Sequence, residues 1–249
     1  MYQADTGSTK KKYDKDMLMS AFAKKIHVFA CNAYEVYSDV ATSLGDSFST
    51  KMVHDVDGTF HFAKRKEEGT WINTGLYQQA WKAIGAAGTY KAYDWTVKAD
   101  ADAVFFPDKL VNRIKLMPRA TTGVILNNCK NVDYGFFGAL EVFSEVAFSS
   151  LLANMDECNK TLPWTIGIEN GKYGPMGEDL FAEICLEKNA VLKIDAFDIK
   201  KDGLCPGDRP KDQKKNKKWV PNCAQAATPA IHPLRKIWEW EKCYTEASR

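Results

Sequence analysis

The sequence lacks several signatures that would narrow its chemistry at once. Its seven cysteines contain no C-x-x-C pair, which disfavours a zinc knuckle or a thioredoxin-type dithiol. No run approaches the roughly 20 apolar residues that a membrane-spanning helix needs. The most apolar stretch, 134–155, is broken by Glu141, Glu145 and three serines, so it reads as buried core. Charge of one sign is also missing: 34 Lys and Arg against 32 Asp and Glu leave a net charge of +2, which makes no electrostatic case for nucleic acid. The lysine-rich stretch 200–219 has few aromatic side chains to read bases, so a solvated charge run or a basic loop over an anionic ligand fits it better. The chain starts without an evident signal peptide, and a targeting or anchor segment is expected to lie outside it.

What is present is the composition of a globular protein. The 249 residues are 45% apolar and 27% charged, enough for one domain with a sizeable core. Cys205 and Cys223 flank the polar loop, where a disulfide staple would restrict it. Asn159-Lys160-Thr161 is a glycosylation sequon. Together these favour an oxidising secretory lumen over the cytoplasm.

The most informative stretch is 94–107. Trp95 to Ala99 is strand-like, and two acids separated by one residue, Asp100 and Asp102, follow at its end. In a strand, residues two apart point to one side, so both carboxylates are expected to face one hard divalent cation such as Mn²⁺ or Mg²⁺. A second triplet, Asp55-Val56-Asp57, lies near His54 and His61. It is followed by Gly58 and reads as a hairpin turn.

Along the chain, 1–24 is expected to be a flexible N-terminal arm. Lys25 to Cys31 reads as a first buried strand opening onto Tyr34, Tyr37 and Asp39, candidates to stack on or hydrogen-bond a base. Ile72, Leu76, Ala80 and Ile84 recur every four residues, which predicts a helix over 71–84 with Thr70 as N-cap and Gly85 as stop. It leads into the strand before Asp100, giving the strand, helix, strand order of a mainly parallel sheet. Further strands are expected at 123–126, 134–143 and 191–197, with helices over 107–117 and 144–155. The shaped loop 171–177 precedes Glu178 and Asp179 in the first turn of another helix. There the helix dipole favours ionised carboxylates, as a general base needs, though plain helix capping by acids has the same pattern. Near the end, His232 is followed by Arg235 and Lys236, a histidine for a metal site with cations for a diphosphate.

The set Asp100-Ala101-Asp102, Gly177-Glu178-Asp179 and His232-Pro233 resembles the metal-dependent, nucleotide-sugar glycosyltransferases of GT-A fold, Golgi luminal members above all, over about residues 25–236. The resemblance implies a single α/β, Rossmann-like domain: a mixed, mainly parallel sheet flanked by helices, with a nucleotide-sugar half (about 25–120), an acceptor half (about 121–199) and a basic, metal-ligating C-terminal segment (200–249). It implies that Asp102 and His232 bind Mn²⁺ or Mg²⁺. Asp100 contacts the donor or reaches the metal, and Lys98, Tyr34, Asp39, Arg235 and Lys236 join in holding a UDP-sugar. Asp179 becomes the base of an inverting transfer, with Glu178 orienting the acceptor. The implied partners are a nucleotide-sugar donor and a glycan, glycoprotein or small-molecule acceptor, with no nucleic acid, and a membrane only through an anchor. Two other readings stay open. A nucleotidyltransferase would want a glycine-rich phosphate loop where Cys31-Asn32-Ala33-Tyr34 stands. A scaffold domain that has lost catalysis is the other.

Overall fold

The structure is a computed structural model that describes residues 13–45, 47–54, 63–64, 71–117, 120–162, 177–208, 221–225 and 227–249. Its elements in chain order begin with α1 (Tyr13–Lys24), a 3-10 turn (His27–Ala30), β1 (Tyr37–Ser38), β2 (Ser43–Gly45), β3 (Phe48–Ser49), β4 (Lys51–Met52), β5 (Ala63–Lys64), β6 (Trp71–Ile72) and α2 (Thr74–Ala87). Then come β7 (Trp95–Ala99), β8 (Val104–Phe105), α3 (Pro107–Ile114), β9 (Val124–Asn127), β10 (Leu140–Ser144) and α4 (Glu145–Thr161). The chain ends with α5 (Glu178–Lys188), β11 (Leu192–Asp195), β12 (Lys200–Asp202), β13 (Ala230–His232) and α6 (Ile237–Ala247).

Two sheets carry the frame. One has the order β11-β9-β10-β7, the other β12-β13-β8. The expected mixed α/β architecture with flanking helices is present. In these two sheets the parallel pairs are β11 with β9 and β12 with β13, while β10 returns antiparallel against both β9 and β7, and β8 against β13; the short β1 and β4 also pair in parallel. The four-residue turn from Asp100 to Ala103 carries the chain from β7 in the first sheet to β8 in the second.

Local sequence explains most elements. α2 starts three residues later than expected, because Trp71–Ile72 pairs with Ala63–Lys64 as a strand. It ends at Gly88, whose φ of 69° suits glycine. Gly85 lies inside the helix, where an added Cβ would meet Leu152 Cδ1 at 2.9 Å, so it serves close packing and not termination. Pro107 opens α3 at a position where its missing N–H costs nothing. Ser144 caps α4 by accepting from Ala147 N–H at 3.2 Å.

Two expectations for the N-terminal region fail. Residues 25–31 do not form a first strand. Lys25 and His27 take positive φ of 53° and 60°, and the 3-10 turn drops Phe29 into an aromatic cluster with Phe22, Tyr34 and Phe48. The apolar run is thus satisfied by packing under α1 instead of by sheet pairing. Nor is all of 1–24 an arm: α1 buries Met17, Leu18 and Ala21 against a core shared with Trp240 and Ile231. Apolar side chains spaced three and four apart are the reason.

A larger core fills the space between the first sheet and α2, α4 and α5, around Trp81, Phe136, Phe143, Phe148, Leu151 and Phe181. A third, with Leu110, Ile114, Leu126 and Ile199, lies under α3. Three disulfides tie these layers: Cys129–Cys205, Cys158–Cys185 between α4 and α5, and Cys223–Cys243 onto α6. The expected staple between Cys205 and Cys223 is therefore replaced by two bridges, each anchoring one side of that loop to the body. Such bridges belong to a protein that folds in an oxidising compartment. No helix among the described residues is long and apolar enough to cross a membrane. The sequon residue Asn159 lies within α4, its carboxamide in a reciprocal pair with Gln78 at 2.7 and 3.0 Å, so the folded protein does not present it as a free glycosylation acceptor.

Candidate functional site

The turn between the two sheets brings Asp100 and Asp102 against the end of β13. The backbone N–H of Asp100 donates to Ala139 O at 3.2 Å, and Ala103 N–H closes back on Asp100 O at 3.0 Å. Leu234 N–H donates to Asp102 O at 2.9 Å, which fastens the segment after His232 to the same turn. One ligand atom from each of Asp100, Asp102 and His232 lies within 4.8 Å of the others. The two acids converge through this turn, not through strand alternation, since β7 ends at Ala99.

His232 bridges two carboxylates. Its Nε2 is 3.3 Å from Asp102 Oδ1 and its Nδ1 is 3.1 Å from Asp202 Oδ1. The parallel register sets Asp202 directly beside His232, and Lys200 Nζ reaches Asp202 Oδ2 at 2.8 Å. Burial opposes charging the imidazole, yet Asp202 and Asp102 outweigh it and raise the His232 pKa to about 10. Asp202 is held well below the usual carboxylate range: burial opposes this, and the His232 and Lys200 cations overcome it.

Lys98 links these acids to the second motif. Its ammonium donates to Gly138 O and lies 2.7 Å from Asp100 Oδ1, 3.0 Å from Glu178 Oε1 and 3.4 Å from Glu141 Oε1, below the Tyr77 ring at 4.9 Å. Burial works against ionising Asp100, but Lys98 holds its pKa below the ordinary value. Glu141, fully buried opposite Lys98 on β10, is pushed well above the carboxylate range, first by burial and then by Glu178 and Asp179, against the pull of Lys98. Glu178 starts α5, its N–H bonded to Asn73 Oδ1 at 3.0 Å. Asp179 accepts from Gly138 N–H at 3.0 Å and Leu180 N–H at 2.8 Å. Burial and then the Glu178 charge raise its pKa to about 6. Gly138 permits this crowding, since an added Cβ would stand 3.0 Å from Glu178 Oε1 and 3.2 Å from Asp179 Oδ2.

Other predicted residues sit at varying remove. Tyr34 is 38% exposed and lines a cavity of about 670 Å³ that also reaches Tyr77, Lys98 and Ala101. Asp39 is buried after β1 and does not line that cavity. Arg235 and Lys236 are exposed at the start of α6, with Lys236 Nζ 5.7 Å from the Trp238 ring. Residues 55–62, the second acidic triplet with His61, and 209–220, most of the basic loop, lie outside the described residues. Lys200 and Asp202 are not part of a loop at all; β12 buries both.

Sequence reasoning passed over Asp202, Lys200, Glu141 and Asn73. The signal available for the first two was their spacing, since residues two apart share one face of a strand. Lysine density in 200–219 obscured it. Glu141 carried a quieter cue as the acid interrupting an apolar run.

No protein-family model matches the chain, and no curated protein does. Among solved structures, it is similar to a glycosyltransferase involved in the glycosylation of the major capsid of PBCV-1, with 10% identity and a TM-score of 0.48 over 98% of this chain and 97% of that one.

Proposed function

We propose that the protein is a metal-dependent glycosyltransferase that moves a sugar from a nucleoside-diphosphate sugar, a UDP-sugar in the first instance, to an acceptor hydroxyl with inversion. One observation carries the reading: Asp100 and Asp102 converge with His232, which is far away in sequence, and Lys98 ties that convergence to Glu178, beside Asp179 on the Gly138 N–H. Two carboxylates and an imidazole within 4.8 Å are a donor set that suits Mn²⁺, or Mg²⁺ through the carboxylates. Asp102 and His232 would hold the ion. Asp100, already paired with Lys98, takes the donor side.

A divalent cation bound there supplies Lewis-acid stabilisation of the charge on the departing nucleoside diphosphate. The rest falls to the chain itself. Each Asp179 oxygen accepts one backbone N–H, leaving a lone pair for the acceptor proton. With its pKa near 6 the carboxylate is ionised at neutral pH yet basic enough to take that proton. Glu178 and Lys98 fix the base from the side, and Arg235 and Lys236 meet the diphosphate. Tyr34, which lines the cavity that reaches Lys98, would stack on the nucleotide base. The compartment that fits this activity and the three disulfides is the secretory lumen, the Golgi specifically.

A thermal-shift panel of nucleotide sugars with and without Mn²⁺ tests the reading, because a ligand that binds only the folded state raises the melting temperature. A Mn²⁺-dependent rise with at least one of them is expected; no shift with any would favour a scaffold domain. Asp102→Asn should abolish Mn²⁺-dependent binding of nucleoside diphosphate, and unchanged calorimetric affinity would remove Asp102 from the metal site.

A further inference from the structure

We propose that Asp202, itself held by Lys200, is the positioning residue for His232, fixing the imidazole with its Nδ1 hydrogen turned inward and Nε2 aimed at Asp102. The inference rests on reading Asp102 and His232 as metal ligands, and it assigns a role to two buried charges outside that ligand set. A histidine that binds a metal through one nitrogen needs a partner for the hydrogen on the other, and that partner sets tautomer and ring orientation. Asp202 Oδ1 meets Nδ1 at 3.1 Å, while Nε2 faces Asp102 Oδ1 at 3.3 Å.

The carboxylate is itself locked. Its Oδ1 also accepts from Leu204 N–H at 2.8 Å, and its Oδ2 from Lys200 Nζ at 2.8 Å. Its own N–H donates to Asp208 Oδ2 at 3.0 Å. Lys200 has no exposed surface and places its ammonium 5.0 Å from the Phe137 ring centre. The His232 carbonyl accepts from Gly203 N–H at 2.9 Å, so the ring is steered from backbone and side chain together. Cys205, two residues beyond Gly203, is bridged to Cys129 and pins the turn. Asp202 approaches the ring from the Nδ1 side, away from the nitrogen that faces Asp102, and so cannot serve as a further ligand without abandoning its three carboxylate bonds, to His232, Leu204 and Lys200. Burying a lysine and an aspartate is costly unless geometry and added hydrogen bonds offset it. A plain structural pair needs no histidine at its end; a device for aiming one does.

The test reads metal binding and ring chemistry, not turnover. In wild-type protein, nitrogen-15 spectra of His232 with Zn²⁺, a diamagnetic probe, should show a proton retained on Nδ1 and the metal on Nε2. Metal on Nδ1, or a freely exchanging tautomer, would overturn the proposal without any variant. Mn²⁺ affinity, read from the electron-spin signal of the free ion, should fall about 10- to 100-fold in Asp202→Asn, the usual effect of removing such a partner. Because Asp202→Asn alone strands the Lys200 ammonium in the interior, Lys200→Met with Asp202→Asn is measured beside it. A folded double variant with wild-type Mn²⁺ affinity would leave Asp202 a merely structural residue. His232→Ala separates the levels. If it weakens Mn²⁺ binding while the Asp202 variants do not, only this inference falls; if it too leaves affinity unchanged, the ligand assignment falls and takes this one with it.

Discussion

At the scale of single residues, the site is governed by which charges face each other out of water. Asp179 and His232 are both displaced from their ordinary pKa values, for opposite reasons. Asp179 is starved of solvent beside Glu178, so its proton is held more tightly and its pKa is raised to about 6. Its ionised form is therefore a cost to the fold: the stability it contributes is present below the unfolded carboxylate pKa and lost as pH rises through 6. As a base it must be ionised, so kcat/KM should decline about tenfold per pH unit below 6. A profile flat from pH 7 to 5 would remove it from that role. Asp179→Asn should lower turnover by roughly 10²- to 10⁴-fold while donor binding persists, the range for loss of a general base. Turnover near wild type would place the base elsewhere.

His232 gains two carboxylates, and its pKa rises to about 10. The stability from this cation is complete below the unfolded histidine value and is lost as pH rises through 10. A metal competes with that proton, so Mn²⁺ affinity should grow between pH 6.5 and 8.5, by about tenfold per unit where one proton is released. Calorimetry in buffers of differing ionisation enthalpy would count that proton. An affinity independent of pH would contradict ligation by His232.

At the scale of elements, close approach of backbones does what side chains do elsewhere. Gly123, with a φ of 86°, lies at the start of β9 under the first turn of α4, where an added Cβ would stand 2.5 Å from Ala147 N. Gly123→Ala is thus both strained and blocked, and is expected to cost about 1–3 kcal/mol, the range for forcing a side chain into such a conformation. Urea unfolding would measure it, with the midpoint lowered and the slope unchanged. The elements that carry the site follow the same logic. β7 and β8 are consecutive in sequence and belong to different sheets, so the turn between them is where the chain leaves one ladder for another. Strand alternation alone pointed to Asp100 and Asp102 as a pair. The actual geometry comes from the turn and from Leu234, which ties it to the chain after β13.

At the scale of the whole molecule, the disulfides divide the labour. Cys158–Cys185 joins α4 to α5 within the larger core, whereas Cys129–Cys205 anchors the turn that follows Asp202. Replacing either pair by alanines should destabilise the protein by about 2–5 kcal/mol. The two should differ in function: loss of Cys129–Cys205 is expected to weaken Mn²⁺ binding by freeing Asp202, and loss of Cys158–Cys185 to leave it unchanged. Equal Mn²⁺ affinities in both variants would break the proposed link between that bridge and the metal site.

Much of this was legible in the chain of amino acids. Helix periodicity, the capping Ser144, the helix-opening Pro107, the acidic start of α5 and the strand before Asp100 are local properties, because each depends on neighbours three or four residues away. Spacing paired Asp100 with Asp102 for the same reason, whereas the roles of His232 as ligand and Asp179 as base came from the resemblance of the whole motif set and not from local spacing. The first strand could not, since an apolar run of seven residues satisfies itself equally by pairing or by packing, and only the aromatic cluster of Phe22, Phe29 and Phe48 decides for the latter. Cysteine pairing was equally hidden, being a matter of which sulfurs the finished layers bring together. Most of all, only the tertiary structure made Lys98 the common partner of Asp100, Glu141 and Glu178 and made Asp202 the neighbour of His232. Apart from Lys98 with Asp100, those relations join residues 30 to 80 positions apart, and ion pairs at that range exist only after the strands have paired, α5 has packed beside them and water is excluded.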